Sequence, residues 1–180
     1  MRRMFILIAI LAITLSSVKA QKIYSTKTAK ISFFSNAPLE DIEAKNNEVE
    51  SKLAPSTGQF AFILLMKGFR FENELMEEHF NENYVESNKF PKSDFKGVIT
   101  NVKDINFSKD GKYPASVKGN LTIHGITHPV ESNGTVEVRA GKVSANSKFN
   151  IRLKDYGIGG SMIGKKISDN IAITVECQYE

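Results

Sequence analysis

The chain has 180 residues, 41% of them hydrophobic, with three histidines, one cysteine and a formal net charge of +4. Three positive charges, Arg2, Arg3 and Lys19, fall in the first twenty residues; the remainder carries +1 and has no basic stripe, which argues against a nucleic-acid partner. A single cysteine excludes an internal disulfide, so the fold needs a full-sized hydrophobic core.

At the N-terminus, Arg2 and Arg3 precede an apolar run at 5–15, and Val18-Lys19-Ala20 is a small-residue cleavage signal. The run is too short to span a bilayer comfortably. This pattern predicts a cleaved signal peptide at 1–20, one domain at 21–180, a periplasmic or secreted location and no stable membrane insertion.

Beyond that segment most of the chain alternates at period 2, the mark of half-buried strands. Ala29, Ile31 and Phe33 alternate with Lys30 and Ser32 and predict a first strand. Residues 49–53 predict a short second strand, and Pro55-Ser56-Thr57-Gly58 a turn. Residues 59–66 form the most apolar strand, with Phe60, Phe62, Leu64 and Met66 on one face and Ala61, Ile63 and Leu65 on the other. A strand apolar on both faces is covered on both sides or lines an apolar cavity.

The period then changes. Asn73 suits an N-cap, Glu74, Glu77 and Glu78 suit the first turn, and Leu75, Met76, His79 and Phe80 make a stripe at helical spacing. The spacing predicts a short helix over 74–83. Phe90-Pro91 forces extended backbone. Further strands are predicted at 93–107, 113–124, 126–139, 142–153 and 168–178. Asp110-Gly111 and Ala140-Gly141 mark hairpin turns, and Gly125 permits a tight reversal after the alternating Leu121 and Ile123. Asn133-Gly134 reads either as another turn or as a bulge in one long strand.

The fold class is therefore all-β: about eight antiparallel strands in mostly hairpin order, with one short α-helix. Such a chain closes its edges as a barrel or packs as a sandwich, and a barrel of this size holds side chains or one small ligand.

Four blocks carry a family resemblance: LMEEHFNENYVES at 75–87, FPKSDFKG at 90–97, GNLTIHGITHPV at 119–130, and DYGI at 155–158 followed by ISDNIAITVE at 167–176. In order and spacing they resemble the secreted YceI-like proteins, a lipid-binding, lipocalin-like barrel family, over nearly the whole chain after residue 20. The resemblance implies an antiparallel lipocalin-like β-barrel with a long apolar channel. It also implies a long-chain lipid such as a polyisoprenoid as partner, in a bacterial periplasm. The loop at 157–166 is glycine-rich, and its relation to the channel mouth stays open.

Within a barrel one alternating set must face inward. Phe60, Phe62, Leu64 and Met66 are the bulkier set of their strand. Together with Phe69, Met76, His79, Phe80, Phe90, Phe95 and Tyr156 they are the candidate ligand-binding residues. His79 reads either as a core histidine bonded to backbone or as a polar group meeting a lipid headgroup. His124 and His128 are separated by a glycine reversal, which removes the helical spacing that suits zinc, so they read as solvated turn residues. Lys165 and Lys166 read as a solvated loop pair or as partners of a headgroup, and the glutamates of the helix as its solvated face.

No nucleophile elbow of the G-x-S-x-G type is present. Cys177 falls in the alternating run Ile171, Ile173, Val175 and reads as a buried, inert thiol. No catalytic residue, metal ligand or cofactor is expected. The expected function is a soluble carrier of a long-chain isoprenoid or similar lipid. The alternatives are a barrel enzyme acting on a small apolar substrate with His79 as acid or base, and a stress-related interaction protein with a packed interior. Exposed strand edges or a paired channel mouth leave a homodimer open.

Overall fold

The computed structural model describes residues 22–180; the predicted signal segment lies outside them. Among the described residues nine strands form one antiparallel sheet: β1 (Tyr24–Asn36), β2 (Asp41–Leu53), β3 (Gln59–Leu65), β4 (Arg70–Phe71), β5 (Lys92–Ile99), β6 (Gly111–Ile123), β7 (Ile126–Arg139), β8 (Lys142–Arg152) and β9 (Asn170–Tyr179). Eight of them close a barrel in the order β1-β9-β8-β7-β6-β5-β3-β2, shut by the pairing of β1 with β2. The two-residue β4 pairs only with β2 and lies outside the ring.

The turns follow from backbone freedom. His124 (φ 53°) and Gly125 (φ 74°) join β6 to β7, and Ala140 (φ 50°) and Gly141 (φ 76°) join β7 to β8. Two consecutive left-handed residues give the tight hairpin whose twist matches that of the flanking strands. The helix α1 (Glu74–His79) starts at Asn73, whose side chain accepts the Leu75 N–H at 2.9 Å. It widens into a π-helical turn at Phe80–Tyr84, so the helical segment covers the predicted length.

Several strand boundaries differ from expectation, β1 among them, which starts at Tyr24 and not near Ala29. β2 is thirteen residues long, whereas only 49–53 read as strand. Its inward positions include Ala44, Asn46 and Ser51, which are small or polar and carry little hydrophobic signal. Two offsetting register shifts against β1, around Ala29, also break its period. β5 stops at Ile99, well short of 107. Ile105 and Phe107 keep an alternating look but belong to the connection that folds under the barrel end, where Phe107 meets Tyr24 with ring centroids 6.0 Å apart. Asp110-Gly111 is no hairpin turn: the Asp110 carboxylate accepts the Ala140 N–H at 3.0 and 3.1 Å, and Gly111 opens β6.

Asn133-Gly134 is neither a turn nor a bulge. The ladder from Lys112↔Glu137 to Ile123↔Ile126 runs through it without a shift. A Cβ at Gly134 would collide with the Asn146 carbonyl oxygen, so glycine permits the close approach of β8 there.

One end of the barrel is filled. Tyr24, Val49, Leu53, Val136, Val143 and Tyr179 are buried there, with Ile105 closing them from below. The other end is hollow.

Candidate functional site: an apolar cavity in one half of the barrel

The hollow half encloses about 550 Å³. Its walls come from every barrel strand and are apolar almost throughout: Ile31 and Phe33 of β1, Leu121 and Ile123 of β6, Phe149 and Ile151 of β8, and Ile171, Ile173 and Val175 of β9 are among the lining residues. Phe60, Phe62 and Leu64 of β3 face the cavity with Met66 beyond them, while Ile63 and Leu65 of the same strand are 44% and 53% exposed. Phe69, Met76, His79, Phe80 and Phe95 also line the cavity. Phe33, Phe69, Phe71 and Phe80 pack as a cluster beneath the helix, with centroid separations from 5.1 to 5.7 Å. That cluster supports one side of the opening.

Two of the sequence candidates lie elsewhere. Phe90 packs its ring against the His124 imidazole, centroids 4.5 Å apart, and is not a lining residue. Tyr156 is buried against the His128 ring at 5.3 Å and is also absent from the cavity wall. Both sit in connections, Phe90 before β5 and Tyr156 at the end of the 3-10 turn Leu153–Tyr156, where strand parity no longer says which way a side chain points. Conversely, Ile31, Phe33, Leu121, Ile123 and Ile173 were findable by that parity, since each sits in an alternating run.

Polar atoms within the wall are already bonded to protein. Ser93 Oγ donates to the Thr122 carbonyl at 2.7 Å. Ser147 Oγ donates to the Asn133 carbonyl at 3.0 Å and lies 3.1 Å from Ser132 Oγ. Ser35 Oγ accepts the Ser168 N–H at 2.9 Å. Charged and amide groups gather at the opening instead, where Glu40, Asn73, His79 and Lys166 contribute to the lining. His79 is therefore an exposed rim residue, not a core histidine, and no hydrogen bond joins it to a carboxylate among the described residues. The glycine-rich loop supplies Ile158, Met162 and Lys166 to the cavity, with Ile167 directly after it, and so covers one side of its mouth. Glu77 does not simply face solvent: it takes a 2.8 Å bond from Arg70 and accepts the Phe71 N–H at 3.3 Å, tying α1 to β4.

His124 is not a solvated turn residue. Its side chain is only 13% exposed. Nε2 lies 2.7 Å from Glu86 Oε2 and Nδ1 lies 3.1 Å from the Tyr156 carbonyl. Both partners are acceptors, so a ring nitrogen that bonds to either does so as the donor. The contact joins three segments at the mouth end: the β6–β7 turn, the chain after the helix, and the turn after β8. No group of three His, Cys, Asp or Glu side chains converges on a metal position among the described residues.

In the filled half, Ser51 Oγ and Tyr179 OH lie 3.0 Å apart. Burial pushes the Cys177 thiol up, opposed by hydrogen bonds to Tyr179 and Ser51. A thiol held protonated out of water is a poor nucleophile.

The family model for the YceI-like domain matches residues 21–179. The chain belongs to the YceI-like family. A UPF0312 protein from Pseudomonas fluorescens is 40% identical over 55 residues, 31% of this chain, and the match spans only 27% of that relative. Among solved structures, a polyisoprenoid binding domain from Saccharophagus degradans, implicated in plant cell wall breakdown, superposes with a TM-score of 0.76 at 10% identity, covering 88% of this chain and 97% of that one. BcnA of Burkholderia cenocepacia gives 0.70 at 15% identity over 84% and 96%. The Campylobacter jejuni YCEI protein gives 0.61 at 15% identity over 81% and 88%. At these identities the likeness is one of fold.

As a YceI-like barrel, the chain offers an apolar enclosure with polar groups at its rim. Desolvating a long hydrocarbon in such a space is favourable by about 0.8 kcal/mol per buried methylene. Among the described residues, no acid–base pair lies within bonding reach inside the enclosure.

Proposed function

We propose that the protein is a carrier that holds one long-chain isoprenoid or similar lipid, with the tail in the barrel cavity and the polar end at the rim. The observation that carries this reading is an apolar cavity of about 550 Å³ whose interior hydroxyls are bonded to protein and whose unspoken-for polar groups lie at the mouth. The Saccharophagus degradans domain of the same fold, described as polyisoprenoid binding, supports the ligand class. With the signal-like N-terminus, the carrier works in the periplasm or outside the cell, and it is not an enzyme. An enzymatic role for His79 lacks a paired carboxylate, and a packed interaction protein would lack the cavity.

Mass spectrometry of a solvent extract of the purified protein is expected to show a long-chain lipid. Leu64, 7% exposed and in the wall, is the residue to change. Leu64→Lys places a charge in a low-dielectric space or admits water, and either opposes an apolar tail. The variant should copurify with no lipid while a thermal melt shows it still folded. A folded variant that retains its lipid, or a wild-type extract without lipid together with no isoprenoid uptake, would overturn the proposal.

A further inference from the structure

The cavity is blind, and its depth traces to two glycines. Gly97 of β5 and Gly119 of β6 face each other across the ladder. A Cβ on either would collide with the Phe95 ring, which lies flat over both. Two strand positions without side chains let that ring fold down against the wall instead of standing into the barrel. Phe60 pairs with Gly97 from the other side, and its ring meets Phe95 with centroids 5.4 Å apart and planes tilted by 31°. Both rings border the cavity together with Val117, the next inward residue of β6; beyond them Leu53, at 2% exposure, and Ala115, at 5%, belong to the filled half.

We propose that the Phe60–Phe95 pair is the floor of the cavity and acts as a ruler for the enclosed chain, an inference that rests on the carrier reading. The space above the floor is finite, about 550 Å³, so it encloses only the first units of a long chain. A longer chain fills the cavity and leaves its remainder outside the mouth, so extra units add no buried surface. The ligand class is thus an isoprenoid or acyl lipid whose enclosed first units determine affinity.

The test is a binding series with geraniol, farnesol, geranylgeraniol and solanesol. For the wild type, affinity should tighten at least about tenfold per added isoprene unit and then level off before solanesol. Phe95→Ala removes one ring of the floor and should move the plateau to a longer chain, so that solanesol gains more over geranylgeraniol than it does with the wild type. Phe60→Leu keeps most of the side chain and should move it the same way by a smaller step, and it decides the matter if thermal unfolding shows that Phe95→Ala does not fold. Affinity that keeps rising to solanesol in the wild type, or a plateau unmoved in a folded floor variant, would overturn the ruler while leaving the carrier reading standing. No binding of any of these alcohols by the wild type would take down both.

Discussion

Tyr156 is held almost wholly out of water, and burial, with the Asp155 charge beside it, pushes its phenol from the ordinary 10.0 up to about 12. The folded state therefore holds this proton more tightly than the unfolded chain does. The resulting stability is present in full below pH 10 and is lost as the pH rises toward 12. Urea unfolding across that window should show the midpoint falling for the wild type and falling less for Tyr156→Phe. A residual fall is expected in the variant, because burial also raises Tyr179. His124 acts through geometry. With Nε2 at 2.7 Å from Glu86 and Nδ1 at 3.1 Å from the Tyr156 carbonyl, it ties three mouth segments together. His124→Ala should lower stability by about 1–3 kcal/mol, the range for hydrogen bonds to charged groups and for buried acceptors left unpaired. An unchanged urea midpoint would mean that water replaces both bonds without cost.

At the level of elements, the barrel wall bends where side chains are missing or offset. The two register shifts of β1 against β2 flank Ala29 and Val49, both fully buried, and Asn46 beside them donates to the Leu65 carbonyl at 3.0 Å. A polar residue in the wall is tolerated there because its amide is bonded on both sides, its oxygen accepting the Glu48 N–H at 3.0 Å. Gly134 marks the corresponding tight point between β7 and β8. Gly134→Ala should destabilise by about 1–3 kcal/mol, the usual cost of overpacking, because the Asn146 backbone it meets cannot rotate away as a side chain would. Chemical denaturation of the purified variant measures this, and a shift within error would show that the two strands separate freely at that point.

For the whole molecule, closure depends on β9, which pairs with β8 along its length and with β1 across the seam between the two ends of the chain. Without β9 the sheet presents two open edges, on β1 and on β8, and exposed edges pair with other chains. Truncation after residue 168 should convert a well-behaved protein into aggregate, read by size-exclusion chromatography and soluble yield; a monodisperse, folded truncation would contradict this. Cooperative closure also explains why one half can stay hollow. The filled half, with Leu53, Val49, Val136 and Val143 almost wholly buried, anchors the barrel, and all eight strands extend from it to hold the cavity walls.

Much of this was legible in the residues. Alternation at period 2 identifies strands and their two faces, Gly125 and Ala140-Gly141 locate two hairpins although Asp110-Gly111 gives the same signal where none forms, and a capped stripe locates the helix, because all three signals are local. The same local signal distinguishes Phe60, Phe62, Leu64 and Met66 from Ile63 and Leu65 by bulk. It does not reach further. Phe90 and Tyr156 lie in connections, where direction is set by contacts with His124 and His128 far along the chain. Glu86 is thirty-eight residues from the histidine it holds. Parity separates inside from outside but carries no measure of height along the barrel axis or of how much volume the inward side chains leave empty. That quantity depends on which side chains share a level across eight strands, and on a glycine pair that lets one phenylalanine lie flat; only the tertiary structure brings those residues to one place.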